Sequence, residues 1–115
     1  MSSPGVIDGL YPILLTQDWQ EEIEFYVGDE ATVEDLSTLT NAVVTLVPAR
    51  GSGLSTWSFS MVGGKIARSN NALSWVIDKT EVVANLQAGR WDFRVDLAWS
   101  DGLEQTVLRG QAVVS

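Results

Sequence analysis

The sequence predicts an all-β fold, an antiparallel β-sandwich of about seven or eight short strands, and three observations carry that prediction. Trp91, Phe93, Val95, Leu97 and Trp99 fall on every second residue, the period of a strand with one buried face, while Asp92, Arg94 and Asp96 fill the gaps. Asp101-Gly102 then marks a tight turn with positive φ, so that Thr106 to Gly110 returns alongside as a hairpin. Turn-forming residues recur roughly every 8–12 positions along the chain, and a strand with so large an apolar face needs a second layer to cover it.

Residues 1–17 form an extended N-terminal arm, either a flap over the domain's own core or an arm that docks on a neighbouring subunit, because Pro4 and Pro12 with Gly5 and Gly9 argue against a helix and the apolar residues among them show no clean period. Residues 18–115 form the sandwich. Trp19, Glu21, Ile23 and Phe25 share one face of its first strand, and Gln20, Glu22, Glu24 and Tyr26 share an acidic outer face. Gly28 to Thr32 reads as a polar loop. Ala42 to Val47 is apolar at nearly every position, as in a central strand covered on both sides or one covered by a partner, and Pro48 ends it. Trp57-Ser58-Phe59-Ser60-Met61 and Leu73-Ser74-Trp75-Val76-Ile77 resume the alternation, with turns at Gly63-Gly64-Lys65 and Ser69-Asn70-Asn71. From Asp78 to Leu86 the period breaks into one short helical stretch, which Asp78 or Thr80 is placed to cap and Gly89 to end. Ala112-Val113-Val114 closes the chain.

A single domain of 115 residues buries a core without metal or disulfide help. Neither cysteine nor histidine occurs, which removes thiol nucleophiles, the usual structural zinc ligands and the commonest general base. The net charge is −8, unevenly spread: nine acids precede the first base, Arg50 (Asp8, Asp18, Glu21, Glu22, Glu24, Asp29, Glu30, Glu34 and Asp35). Such a chain repels phosphate backbones, so nucleic acid is not an expected partner. No positively charged leader and no apolar run of about 20 residues appears, so neither export by a signal peptide nor a membrane span is expected.

Candidate chemistry is sparse. Asp92 and Asp96 lie on a solvated strand face, which lacks the two contrasting environments that an acid–base pair needs. Asp29, Glu30, Glu34 and Asp35 are the best calcium candidates but match no calcium-loop spacing. Gly63-Gly64-Lys65 lacks the longer glycine frame and the Ser or Thr of a phosphate loop. No enzyme activity, cofactor or metal is therefore expected. All five tryptophans, Trp19, Trp57, Trp75, Trp91 and Trp99, sit in phase with inward residues, leaving none assigned to stacking on a sugar.

The order of motifs resembles the immunoglobulin-like β-sandwich modules of tailed-bacteriophage tail and baseplate proteins, including the small upper-baseplate type. The residues that carry the resemblance are Asp35-Leu36-Ser37 and Thr40-Asn41-Ala42-Val43 at a strand entry, Thr80 to Leu86, Gly89-Arg90-Trp91-Asp92-Phe93, Asp101-Gly102, and Val107 to Val114. The resemblance implies an immunoglobulin-like fold and a non-enzymatic structural protein of the virion, assembled in the host cytoplasm. Its expected partners are other virion proteins and copies of itself. Docking is expected through Val6, Ile7, Leu10, Tyr11, Ile13 and Leu14 in the arm and through Glu21, Glu22 and Glu24 on the acidic face. The alternatives are a capsid decoration protein and a carbohydrate-binding module that contacts a glycan of the host surface.

Overall fold

The computed structural model describes residues 5–27, 32–33 and 35–115, with side chains described over 9–25 and 35–115. In chain order its elements are β1 (Gly5–Ile13), β2 (Trp19–Glu24), β3 (Tyr26–Val27), β4 (Thr32–Val33), β5 (Leu39–Pro48), β6 (Trp57–Ser60), β7 (Ile66–Ser69), β8 (Ala72–Ile77), α1 (Lys79–Asn85), β9 (Gly89–Trp99) and β10 (Glu104–Val114). A five-stranded sheet, in the order β1-β10-β9-β5-β6, faces a three-stranded one, β2-β8-β7, and β3 pairs with β4 alone. The fold is the immunoglobulin-like β-sandwich expected, with the one helix of the described residues in the connection from β8 of the smaller sheet to β9 of the larger. One pairing departs from the antiparallel pattern, because β1 runs parallel to β10 along the edge of the larger sheet.

Strand β9 is the centre of that sheet. Trp91, Phe93, Val95 and Leu97 are buried on its inner face, opposite Ala42, Val44 and Leu46 of β5 and beside Ala112 and Val114 of β10. The smaller sheet answers with Trp19, Ile66, Leu73, Trp75 and Ile77. An aromatic knot of Trp19, Trp57, Phe59, Trp75 and Phe93 joins the two layers, and Trp19 meets Phe59 and Trp75 edge to face with centroids 5.5 and 5.6 Å apart. The indole N–H of Trp75, a residue 2% exposed, has no hydrogen-bond partner among the described residues, and the ring packs edge to face against Trp19 and Phe59.

The hairpin that closes β9 differs from the two-residue turn expected. The Gly102 N–H donates to the Trp99 carbonyl (3.0 Å), and the Trp99 N–H to that of Leu103 (2.9 Å). Gly102 adopts φ +90° and the Asp101 carboxylate accepts the Leu103 N–H at 2.9 Å. Residues 100–102 thus form a three-residue loop, a type I turn followed by a left-handed glycine. A bulge at Val107 compensates for the extra residue: Thr106 still faces Asp96, but Leu108 faces Val95. Without it every later side chain of β10 would exchange faces, and Ala112 and Val114 would point at solvent.

Helix α1 starts as expected, with Asp78 accepting the Thr80 N–H at 2.8 Å, and it carries buried Val82 and Leu86 to one end of the sandwich. Its end does not use Gly89. Leu86 takes an extended conformation, and Gly89, at φ +140°, is already the first residue of β9. Just beyond, the Trp91 indole N–H donates to the Gln87 carbonyl at 3.0 Å, a tether between a strand start and the chain just upstream that immunoglobulin-like sandwiches more often make with a tyrosine. On the far side, Arg68 of β7 spans the layers: its guanidinium donates to the carbonyls of Leu36 and Leu39 at 3.1 and 3.0 Å, holding the entry to β5.

Candidate interaction faces

The predicted arm is a strand of the larger sheet along residues 5–13, and its inner face belongs to the domain's own core. Ile13 is 1% exposed, opposite Val114. Tyr11 lies opposite Ala112, and its ring stacks on Phe93 with centroids 5.3 Å apart and planes 4° apart. That stack needs room across β10, which the small Gly110 and Ala112 provide at inward positions. Tyr11 and Ile13, read in the sequence as docking residues, are therefore not presented to a neighbour. Leu10 and Leu14 are the exposed members of the set, each 39% accessible. Val6 and Ile7 lie in β1, but their side chains fall outside the described residues.

The acidic set divides the same way. Glu21 shares the inner side of β2 with Trp19 and accepts a short hydrogen bond from the Tyr11 hydroxyl, which in turn accepts the Trp19 indole N–H at 2.9 Å. Two residues assigned separately to an arm and to an acidic face thus meet in one chain of hydrogen bonds between the sheets. Burial, reinforced by the hydrogen bond to Glu21, holds the Tyr11 phenol well above the ordinary tyrosine range. Glu22 and Glu24 point outward with Gln20, beside Ser74 and the 60%-exposed Val76 of β8. Of the calcium candidates, Asp29, Glu30 and Glu34 lie outside the described residues. Asp35 accepts the Ser37 N–H at 2.9 Å, which lowers its pKa.

A surface that the sequence reading did not single out lies on the outer side of the larger sheet. Strands β5, β9 and β10 present there, in successive rows, Asn41-Ala98-Glu104, Val43-Asp96-Thr106, Thr45-Arg94-Arg109 and Val47-Asp92-Gln111. One shallow concavity of about 450 Å³ runs between Asn41, Thr45, Arg94 and Thr106, and a second of about 340 Å³ adjoins it beside Val47, Arg94, Arg109 and Gln111. Thr45 is only 6% exposed although it points outward. Asp96 accepts hydrogen bonds from Thr106 and from the Arg94 Nε, the latter at 2.9 Å. Trp99, at the end of β9, is half-buried and donates its indole N–H to Gln105 at 2.7 Å.

Among the described residues no group of three or more acidic side chains is arranged to hold a metal ion, and no helix is long and apolar enough to cross a membrane. No family model matches the chain, and no curated protein matches it. Among solved structures the chain is similar to part of a chitinase from Paenibacillus sp. str. FPU-7, a bacterial cell-surface-expressed multi-modular enzyme. The TM-score is 0.51 at 20% identity, over 98% of this chain and 9% of that one. The likeness is one of fold, and the chain spans about 9% of the length of that chitinase chain.

Proposed function

We propose that this domain is a non-enzymatic bacteriophage virion module that docks in multiple copies on a larger assembly through the outer faces of its sandwich. The observation that carries the reading is the division of labour between inside and outside. The aromatic side chains of the described residues and Ile13 are taken up by the core, whereas the outer faces differ in chemistry, with Glu22 and Glu24 on the smaller sheet and Arg94 and Arg109, set among Asp92, Asp96 and Glu104, on the larger. Two dissimilar faces on opposite sides of a small domain suit contacts between unlike surfaces that repeat around an assembly, and repetition makes weak contacts cumulative. The resemblance of the segments from Thr80 to Leu86 and from Val107 to Val114 to phage tail and baseplate modules supports the same reading. The test is to follow a tagged chain in phage-producing cells. It is expected to sediment with intact particles in several copies per particle, and exclusive recovery away from particles would overturn the proposal.

A carbohydrate-binding module is the second reading, favoured by the fold likeness to part of a chitinase and by the hydrogen-bonding groups around the larger concavity. No aromatic side chain of the described residues lines that concavity, and stacking on an aromatic platform is the main source of affinity for sugar rings. Titration calorimetry with chito-oligosaccharides and other soluble glycans is expected to show no heat of binding; a saturable signal lost in Thr45→Val or Arg94→Ala would favour this reading instead.

A further inference from the structure

Arg94 and Arg109 stand directly opposite each other across β9 and β10. Like charges at facing positions of a sheet repel, and strands ordinarily avoid them. Arg94 is partly compensated by Asp96 through its Nε. Arg109 is exposed, and among the described residues its guanidinium has no hydrogen bond or ion pair. Between the two side chains lies the 340 Å³ concavity, with Val47 and Gln111 at its sides and Asp92 as its one acid. Two guanidinium groups over a shallow hollow form a fork for carboxylates, since each can offer paired N–H donors.

On the opposite face of the molecule, β2 and β8 present Gln20, Glu22, Ser74 and Val76 around a hollow of about 400 Å³. Glu22 is exposed, and its carboxylate likewise has no partner among the described residues. We infer that the arginine pair Arg94–Arg109 of one copy receives the Glu22 face of a second copy, so that the domain associates head to tail. This rests on the multi-copy reading above and names a second copy as one partner within it. Charge complementarity selects a second copy: although Asp92, Asp96 and Glu104 share its face, Arg109 is a guanidinium without a partner among the described residues, and the Glu22 carboxylate of the opposite face, on a strand with no base, is its complement. The geometry is that of an unlike-surface contact, because the two faces point away from each other across the sandwich. Such a contact closes into a ring or extends as a filament. The exposed Val76 beside Glu22 and the half-buried Val47 beside the arginines supply apolar area at the same contact.

The test is sedimentation velocity over a concentration series at low and high salt, on the full chain and on three variants: Arg109→Glu, Glu22→Arg and the two combined. Circular dichroism checks that each variant is folded. The expected result is reversible association weakened by salt, a loss of roughly tenfold or more in affinity for each single reversal, and recovery in the combined variant, where the charges are exchanged but again complementary. A monomer at every concentration, or single reversals that associate like the parent chain, would overturn the inference. Arg109-dependent binding of heparin by a chain that stays monomeric would assign the site to an acidic saccharide and also overturn it. The two readings fail separately: incorporation into particles with association indifferent to these charges retains the virion role and removes this contact, whereas charge-dependent association without incorporation does the reverse.

Discussion

At the residue scale the most consequential group is the Tyr11 hydroxyl, which lies between a buried donor and a carboxylate. Tyr11→Phe leaves the Trp19 N–H and the Glu21 carboxylate without their shared partner, and leaving a buried donor unmade costs about 1–3 kcal/mol. Denaturant unfolding should show that loss, with the aromatic stack on Phe93 retained. The same residue sets an alkaline limit. Its folded pKa is raised, so the stability it contributes is complete below the ordinary tyrosine value near ~10 and is lost as the pH rises through the folded value. In a Tyr26→Phe background, phenolate absorbance should appear only as the domain unfolds in alkali; a reversible titration near that ordinary value with the fold intact would contradict the geometry. Asp78 has the opposite sign. The Thr80 N–H lowers its pKa, so its contribution is present above the ordinary carboxylate range and disappears as the pH falls through the depressed value. Asp78→Ala should lower the melting temperature at neutral pH and leave it nearly unchanged in strong acid, where the parent cap is already protonated.

At the scale of elements, β1 decides what the N-terminal segment is. A free arm could be removed at little cost to the domain, but β1 carries Ile13 into the core and Tyr11 onto Phe93. Ile13→Ala should cost about 2–5 kcal/mol, as deletion of a fully buried aliphatic side chain does, while Leu14→Ala, one residue on and exposed, should fall within about 0.5 kcal/mol of the parent. Equal effects in thermal unfolding would show that β1 is not seated as described. The alternation along β9 and β2 was legible because each strand has one wet face and one dry one. Strand β1 was not legible, since it lies at a sheet edge, carries Gly9 at φ +72° and shifts register between Val6 and Leu10. The hairpin was legible in position and not in type, because Asp-Gly suits both a two-residue turn and a type I turn with a left-handed glycine.

At the scale of the whole molecule, the sandwich encloses four of its five tryptophans, and Trp99 alone is half-buried. Acrylamide should quench only a minor part of the fluorescence, and Trp99→Phe should remove most of that part; strong quenching in the variant would mean that a second indole reaches solvent. What the sequence by itself determined is the class of fold and the core contributed by the regularly alternating strands, though not the part that β1 adds: strand period, turn chemistry and helix capping are local properties, written in neighbouring residues. Tertiary structure alone decided which polar side chains meet. Tyr11 and Glu21 are joined through the packing of β1 against β2. Arg94 and Arg109 face each other through a loop of one residue more than expected and a bulge that restores the register. Both depend on parity, and a single inserted residue reverses every side chain beyond it, so periodicity read along one strand does not reveal what lies across from it.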